Sequence, residues 1–164
     1  MLDFSQQDWS GSVNLILWRH AEAHDGLPDM DRQLTDKGHR QAALVAAWLK
    51  PRLPRDVRVL SSPATRARQT ADALAMDYTI VKEMAPGADA AHFLAAVGWP
   101  SQGGSVVAVG HQPTLGNVAS LLVAGEESSF SMKKGAIFWI SRREREARLE
   151  NVVRAVLSPE LLKE

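Results

Sequence analysis

There is no cysteine among the 164 residues of this chain. That absence excludes disulfides, thiolate zinc sites, iron–sulfur clusters and every cysteine-nucleophile mechanism, including the thiolate route to phosphoryl transfer. Net charge is missing too, because 19 basic side chains balance 19 acidic ones. Without a global basic field, neither nucleic acid nor an anionic membrane is an expected partner, and charge-dependent chemistry must be local. No segment approaches the roughly 20 apolar residues of a membrane helix. The opening stretch MLDFSQQDWSGS has neither a basic start nor an apolar core, so no signal peptide is expected, and the cytoplasm is the expected location. Carboxylates and histidines do not cluster at ligand spacing, so no metal or other cofactor is expected.

What the chain does have is 45% hydrophobic residues, enough for one sizeable core. A polar leader, residues 1–12, is expected to precede a single domain spanning 13–164. Residues 13–18 (VNLILW) suit a buried strand that ends at Arg19-His20. Thr35 can cap a helix with Ala42, Val45, Trp48 and Leu49 on one face, which Pro51 and Pro54 stop. Residues 57–60 read as a second strand, after which Ser62 as cap and Pro63 at the first helical position launch a helix carrying Arg66. A short extended piece at 78–81 follows, then a helix over 90–97 capped by Asp89. Residues 105–109 (SVVAV) form another buried-strand pattern, and Pro113 opens the next helix. Strands are expected at 135–140 and 149–156, with the charged run 142–148 as a solvated turn. Alternating strands and helices predict an α/β sandwich of three layers.

The unusual residues fall at three strand-to-helix junctions: Arg19-His20, Ser61-Ser62-Pro63 with Arg66, and Gly110-His111. In open α/β sheets ligands bind beyond the carboxyl ends of the strands, so these junctions can converge. Two arginines and two histidines in one crevice describe an oxyanion receptor, to which amides at the starts of the Pro63 and Pro113 helices could add. Each residue alone has a plainer reading: solvated loop for Arg19-His20, a surface ion pair for Arg66, a backbone-bonded neutral imidazole for His111. Their shared position at one kind of junction favours the receptor.

The segments LILWRHAEA, DRQLTDKGHRQA, VLSSPATRARQTADAL and VAVGHQPTLGNVASLL occur in the order found in the histidine phosphatase superfamily. Their wording resembles the small SixA-type phosphohistidine phosphatases, over residues 15–122. The resemblance implies a phosphoglycerate mutase-like fold, a mixed, mostly parallel sheet of about six strands flanked by helices. It also implies a catalytic pocket of Arg19, His20, Arg66 and His111, and a substrate-side role for Arg32, whose alternative is an ion pair with Asp29 or Asp31. Ser62 and Gln112, at the same junctions, are further substrate-binding candidates. One departure is visible: Ala21 stands where the superfamily's Arg-His-Gly triplet has glycine, which questions any backbone conformation reserved for glycine.

The mechanism expected of these residues begins with neutral His20 attacking phosphorus and forming a phosphohistidine that water hydrolyses. Positive charge from Arg19 and Arg66 should keep the imidazole unprotonated while binding the equatorial oxygens, with His111 protonated once phosphate is present. Glu22 and Glu83 are the candidate general acids. A chain this short has no room for the inserted acid-bearing segment of larger superfamily members, which favours a phosphoramidate substrate over an alkyl phosphate. The expected partner is a phosphorylated protein such as a histidine phosphotransfer domain. The alternatives are a phosphomonoesterase for a small phosphorylated metabolite and a non-catalytic phosphate-binding module. His24 looks incidental, His39 and His92 exposed, Trp18, Trp48 and Trp139 part of the core, and Trp9 and Trp99 in loops.

Overall fold

The computed structural model describes residues 12–163, so Trp9 and all of the expected leader except Ser12 lie outside it. Ten main elements follow in chain order: β1 (Val13–Arg19), α1 (Asp36–Leu49), β2 (Arg58–Ser61), α2 (Thr65–Asp72), β3 (Thr79–Ile80), α3 (Ala90–Val97), β4 (Ser105–Gly110), α4 (Thr114–Ala124), β5 (Ile137–Arg145) and β6 (Arg148–Leu157). The strands form one six-stranded sheet in the order β3-β2-β4-β1-β5-β6. The first four of these are mutually parallel, and β5 runs antiparallel to both β1 and β6. This is the mixed α/β sandwich expected from the sequence.

Both faces of the sheet are covered because its central strands are apolar on both sides. Along β1, Leu15 and Leu17 join Phe93 of α3 and Leu115 and Val118 of α4 in one core. Ile16 and Trp18 point the other way, to Val45 and Leu49 of α1 and Ala67 and Ala71 of α2. Thr35 caps α1 by accepting from the Gly38 amide, and Asp89 caps α3 by accepting from the His92 amide, as their positions suggest. Gly38 has a further reason to be glycine: a Cβ there would run into the backbone carbonyl of Glu22, so α1 sits against the loop after β1 only without a side chain. Among the described residues no helix is long and apolar enough to cross a membrane.

Two local expectations are corrected. α2 begins at Thr65 with Ala64 as an N-cap that uses no side chain, so Ser62 is not its cap and Pro63 lies before the helix. The Ser62 hydroxyl is instead engaged by His111. The charged run 142–148 is mostly strand: β5 continues through Arg145, and only Glu146 and Ala147, at φ 50 and 60, make the turn. Cross-strand bonds extend the hairpin that far, with Arg143 donating to Glu150 and Arg142 to Asn151. Trp18 and Trp139 are buried, while Trp48 is half-buried with its ring edge-on to Trp139. Trp99 does lie in a loop, yet it is buried, and the Arg142 guanidinium covers its ring.

The topology fixes where a site can form. β1 and β4 are neighbours, but β1 leads to α1 on one face and β4 leads to α4 on the other. Chains leaving adjacent strand ends in opposite directions open a crevice between them, the switch point at which α/β sheets bind ligands.

Candidate active site

Register brings the two histidines side by side. Arg19 pairs with Gly110 at the ends of β1 and β4, so the next residues, His20 and His111, leave the sheet at the same level. The His20 amide donates to the Gly110 carbonyl at 3.0 Å, and the two imidazole rings lie 5.1 Å apart. On the other side of β4, Ser61 pairs with Val109 and the Ser62 amide donates to the Val109 carbonyl, which sets Ser62 beside His111. Arg66, on the first turn of α2, completes the group with only 4% of its surface exposed. The structure thus gathers Arg19, His20, Ser62, Arg66 and His111 at the carboxyl ends of β1, β4 and β2.

Hydrogen-bond accounting selects the tautomer of His20. Nδ1 of His20 lies 2.7 Å from the Ala21 carbonyl, which can only accept, so Nδ1 carries the proton. Nε2 of His20 faces Nε of Arg66 at 3.4 Å, and a guanidinium can only donate. Both contacts demand the same tautomer, with a lone pair on Nε2. Burial pushes the His20 pKa down to about 4, and the charges of Arg66, Arg19 and Arg32 add to the fall. Burial, ahead of the arginines, is what keeps this imidazole neutral.

His111 is held by Ser62. Its Nε2 lies 2.7 Å from the Ser62 hydroxyl, which already accepts from the Ala64 amide and has its own proton free to donate. The Ser62 oxygen has a second lone pair and can equally accept from Nε2, so this contact suits either neutral tautomer; Nδ1 is buried and has no hydrogen-bond partner among the described residues. Burial, then the charges of His20 and Arg66, lower its pKa to about 3. The imidazolium expected with phosphate bound is not the state of this ring in the absence of an anion, where burial keeps it neutral.

The arginines are anchored through part of their donor set. Arg19 donates from one terminal nitrogen to the Met132 carbonyl at 2.5 Å, and its buried Nε has no partner among the described residues. Arg66 donates to the Asp29 carbonyl at 2.8 Å and to the Asp29 carboxylate at 3.1 Å. Asp29 also accepts from Arg32 at 3.0 Å, and the Arg32 and Arg66 guanidinium groups hold its carboxyl below the ordinary carboxylate range. Arg32 further donates to the His24 carbonyl and reaches Asp25, so it stands at the rim, committed to its own loop. His24 contributes that carbonyl, and its side chain is exposed.

Other candidates lie elsewhere or are otherwise employed. The Gln112 amide donates to the Phe130 carbonyl and accepts from the Gly116 amide, tying the start of α4 to the loop before β5. With Leu115 and Asn117 amides also bonded to backbone carbonyls, the first turn of α4 offers the site less positive field than its position suggested. Glu22 accepts from the Thr35 hydroxyl and pairs with Lys37, which together hold its carboxyl low, the reverse of what a proton donor needs. Glu83 is exposed on a short helical turn and lines a separate depression with Asp89 and His92. His39 and His92 are exposed. Among the described residues no three histidine, aspartate or glutamate side chains converge as a metal site would require.

Sequence reasoning missed Asp29 as the anchor of Arg66 and Thr70 as the brace of the nucleophile loop. The Thr70 hydroxyl accepts from the Ala21 amide and donates to the Arg66 carbonyl. Its spacing of four from Arg66 on α2 was the available signal. Ala21 itself is fully buried and is not among the residues with positive φ, so the backbone there needs no glycine.

Comparison with known proteins bears on the family and the fold. Residues 15–87 match the histidine phosphatase superfamily (branch 1). Phosphohistidine phosphatase SixA of Escherichia coli (strain K12) is 30% identical over 123 residues, covering 70% of this chain and 76% of that protein. An uncharacterised protein of Mycobacterium tuberculosis (strain H37Rv) is 50% identical over 54 residues, a match that spans about a third of either chain, 32% and 34%. Among solved structures, that of the protein histidine phosphatase SixA complexed with tungstate superposes with a TM-score of 0.74 at 27% identity, covering 92% of this chain and 99% of the other.

Proposed function

Because this chain belongs to the histidine phosphatase superfamily, we propose that it is a phosphohistidine phosphatase using His20 as nucleophile, without a metal. The observation that carries the reading is a pair of orphaned polar atoms. Arg19 Nε and His111 Nδ1 are two of the three buried side-chain polar atoms without a hydrogen-bond partner among the described residues. Leaving a buried polar atom unpaired costs about 1–3 kcal/mol, and an oxyanion removes that cost by accepting from Arg19 Nε–H and from Nδ1–H of the His111 imidazolium. Beside them the His20 Nε2 lone pair has no competing proton at neutral pH.

In this mechanism the lone pair forms an Nε2–P bond as the P–N bond to the substrate imidazole breaks, and the departing imidazole nitrogen takes its proton from solvent water. Water then attacks phosphorus, releasing inorganic phosphate and restoring His20. Arg19, Arg66 and His111, the last protonated when the anion arrives, hold the equatorial oxygens where charge concentrates in a loose transition state. The carboxylates around the histidines support a nitrogen leaving group. Asp29 and Glu22 are held ionised, and Glu83 lines another depression, so none is set up to protonate an alkoxide. A small phosphomonoester is the poorer substrate on this ground.

A labelled phosphoramidate in single turnover at neutral pH tests the reading. Acid-labile label should appear on the wild-type protein and vanish in His20→Ala. Undiminished label on that variant would sink the nucleophile, and phosphoester hydrolysis faster than phosphoramidate hydrolysis would sink the substrate class.

A further inference from the structure

A second concave region lies beside the histidines without enclosing them. It begins at Arg19 and runs away from them as a groove of about 1060 Å³ between α1, residues 133–134 and the C-terminal residues 159–163. Its charge is one-sided. Among the described residues Arg19, Lys37, Arg40, Lys133, Lys134 and Lys163 line it against two carboxylates, Glu22 and Glu160. Both carboxylates are already matched, Glu22 with Lys37 at 3.2 Å and Glu160 with Lys133 at 2.6 Å. Arg40, Lys134 and Lys163 appear in no ion pair among the described residues, so a chain of zero net charge concentrates unmatched positive charge here.

Shape and polarity narrow the occupant. Lys37, Arg40, Gln41, Leu44 and Ala47 follow one another at helical spacing along α1, a stripe about 15 Å long at 1.5 Å per residue. Ala43, Leu44, Ala47 and Pro159 give the groove an apolar floor between its cations. A small anion would need donors fixed by burial, whereas Arg40, Lys134 and Lys163 are exposed, with long mobile stems. Mobile cations beside an apolar stripe suit a larger surface with acidic flanks, the helix-in-groove mode of recognition.

We propose that this groove docks an acidic amphipathic helix of the protein that carries the phosphohistidine, an inference that rests on the phosphohistidine reading above. Arg19 joins the two regions, donating to the Met132 carbonyl beside the groove while lying next to His20 in sequence. A helix seated along α1 would thus deliver a phosphorylated side chain to the crevice. Specificity would reside in the groove and chemistry in the crevice.

The test uses three chemically phosphorylated substrates: phosphoramidate, a helical 14-residue peptide with one central phosphohistidine flanked by glutamates, and the same peptide flanked by lysines. Wild type should favour the acidic peptide over the basic one by about tenfold in kcat/KM, with the preference shrinking as salt rises. Arg40→Glu/Lys134→Glu/Lys163→Glu should abolish or invert it, leaving phosphoramidate turnover within about twofold, and the corresponding triple glutamine variant should lie between. Equal turnover of the two peptides by wild type, or a preference untouched in both variants, overturns the proposal. Tripolyphosphate is the small-anion arm: competitive inhibition that the triple variant loses, without peptide discrimination, assigns the groove to a small polyanion and also overturns it. Should no phosphohistidine substrate turn over, the functional reading fails. The groove is then judged by direct binding of unphosphorylated acidic peptide to wild type and variant, where equal affinity overturns it and a loss of about tenfold in the variant upholds an acidic-helix site.

Discussion

The Arg66 guanidinium donates to His20 Nε2, the Asp29 carbonyl and the Asp29 carboxylate, each through a different nitrogen. Such use of the whole fork is beyond an ammonium group, which offers one point charge at the end of a flexible stem. Arg66 also sits where two neutral imidazoles need a nearby cation to bind an anion. Arg66→Ala should therefore cost about 3 kcal/mol of transition-state stabilisation, roughly a hundredfold in kcat/KM on phosphoramidate, comparable to losing a strong oxyanion donor. Arg66→Lys should recover less than a tenth of that loss. A decrease of under tenfold for the alanine variant, measured at pH 7, would place Arg66 outside the reacting centre.

At the scale of elements, the site depends on a loop the sequence describes poorly. Asp29 lies on a short helical turn, Asp29–Asp31, and clamps Arg66 across 37 residues of chain. Asp29→Ala should produce a split in the kinetic constants. Removing the carboxylate frees positive charge for phosphate and lowers KM, while the unclamped guanidinium loses its orientation and kcat falls by about tenfold. Equal loss in kcat and kcat/KM, with KM unchanged, would show that the clamp does not compete with the anion. Strand ends made Arg19, His20 and His111 legible in the sequence, because a buried apolar run that stops abruptly at charged residues marks its own boundary. Ser62 was legible in place but misread in role, since its hydroxyl suits a helix cap as well as a histidine partner and only the register of β2 on β4 decides between them. Asp29 was legible as a partner of Arg32, which it is, but not as the clamp of Arg66, and the groove was not legible. Each joins segments far apart in the chain, and net composition conceals a charge imbalance confined to one face.

The stability of the whole molecule is coupled to the same two imidazoles. His20 and His111 have folded-state pKa values of about 4 and about 3 against an ordinary 6.5. Between those limits the unfolded chain binds protons that the folded one excludes, so stability rises with pH through this window and is lost as pH falls below 6.5. For His20 alone the gap corresponds to about 3 kcal/mol when fully developed, a large fraction of the 5–15 kcal/mol that typically holds a domain folded. The lowered carboxyl groups of Asp29, Asp89, Glu22 and Glu160 act in the same direction but start from ordinary values of 3.8 and 4.5, so they contribute mainly at lower pH. Urea midpoints measured from pH 6.5 down to 5.5, above the ordinary carboxyl values, therefore report mainly the histidines, and the midpoint should drop steadily over that range. Saturating inorganic phosphate should flatten the slope, because an anion beside both rings favours their protonated forms and narrows the gap to the unfolded chain. His20→Asn/His111→Asn should flatten it as well, and should remove the phosphate effect. An undiminished slope in that double variant would show that the buried imidazoles are not the groups that resist protonation.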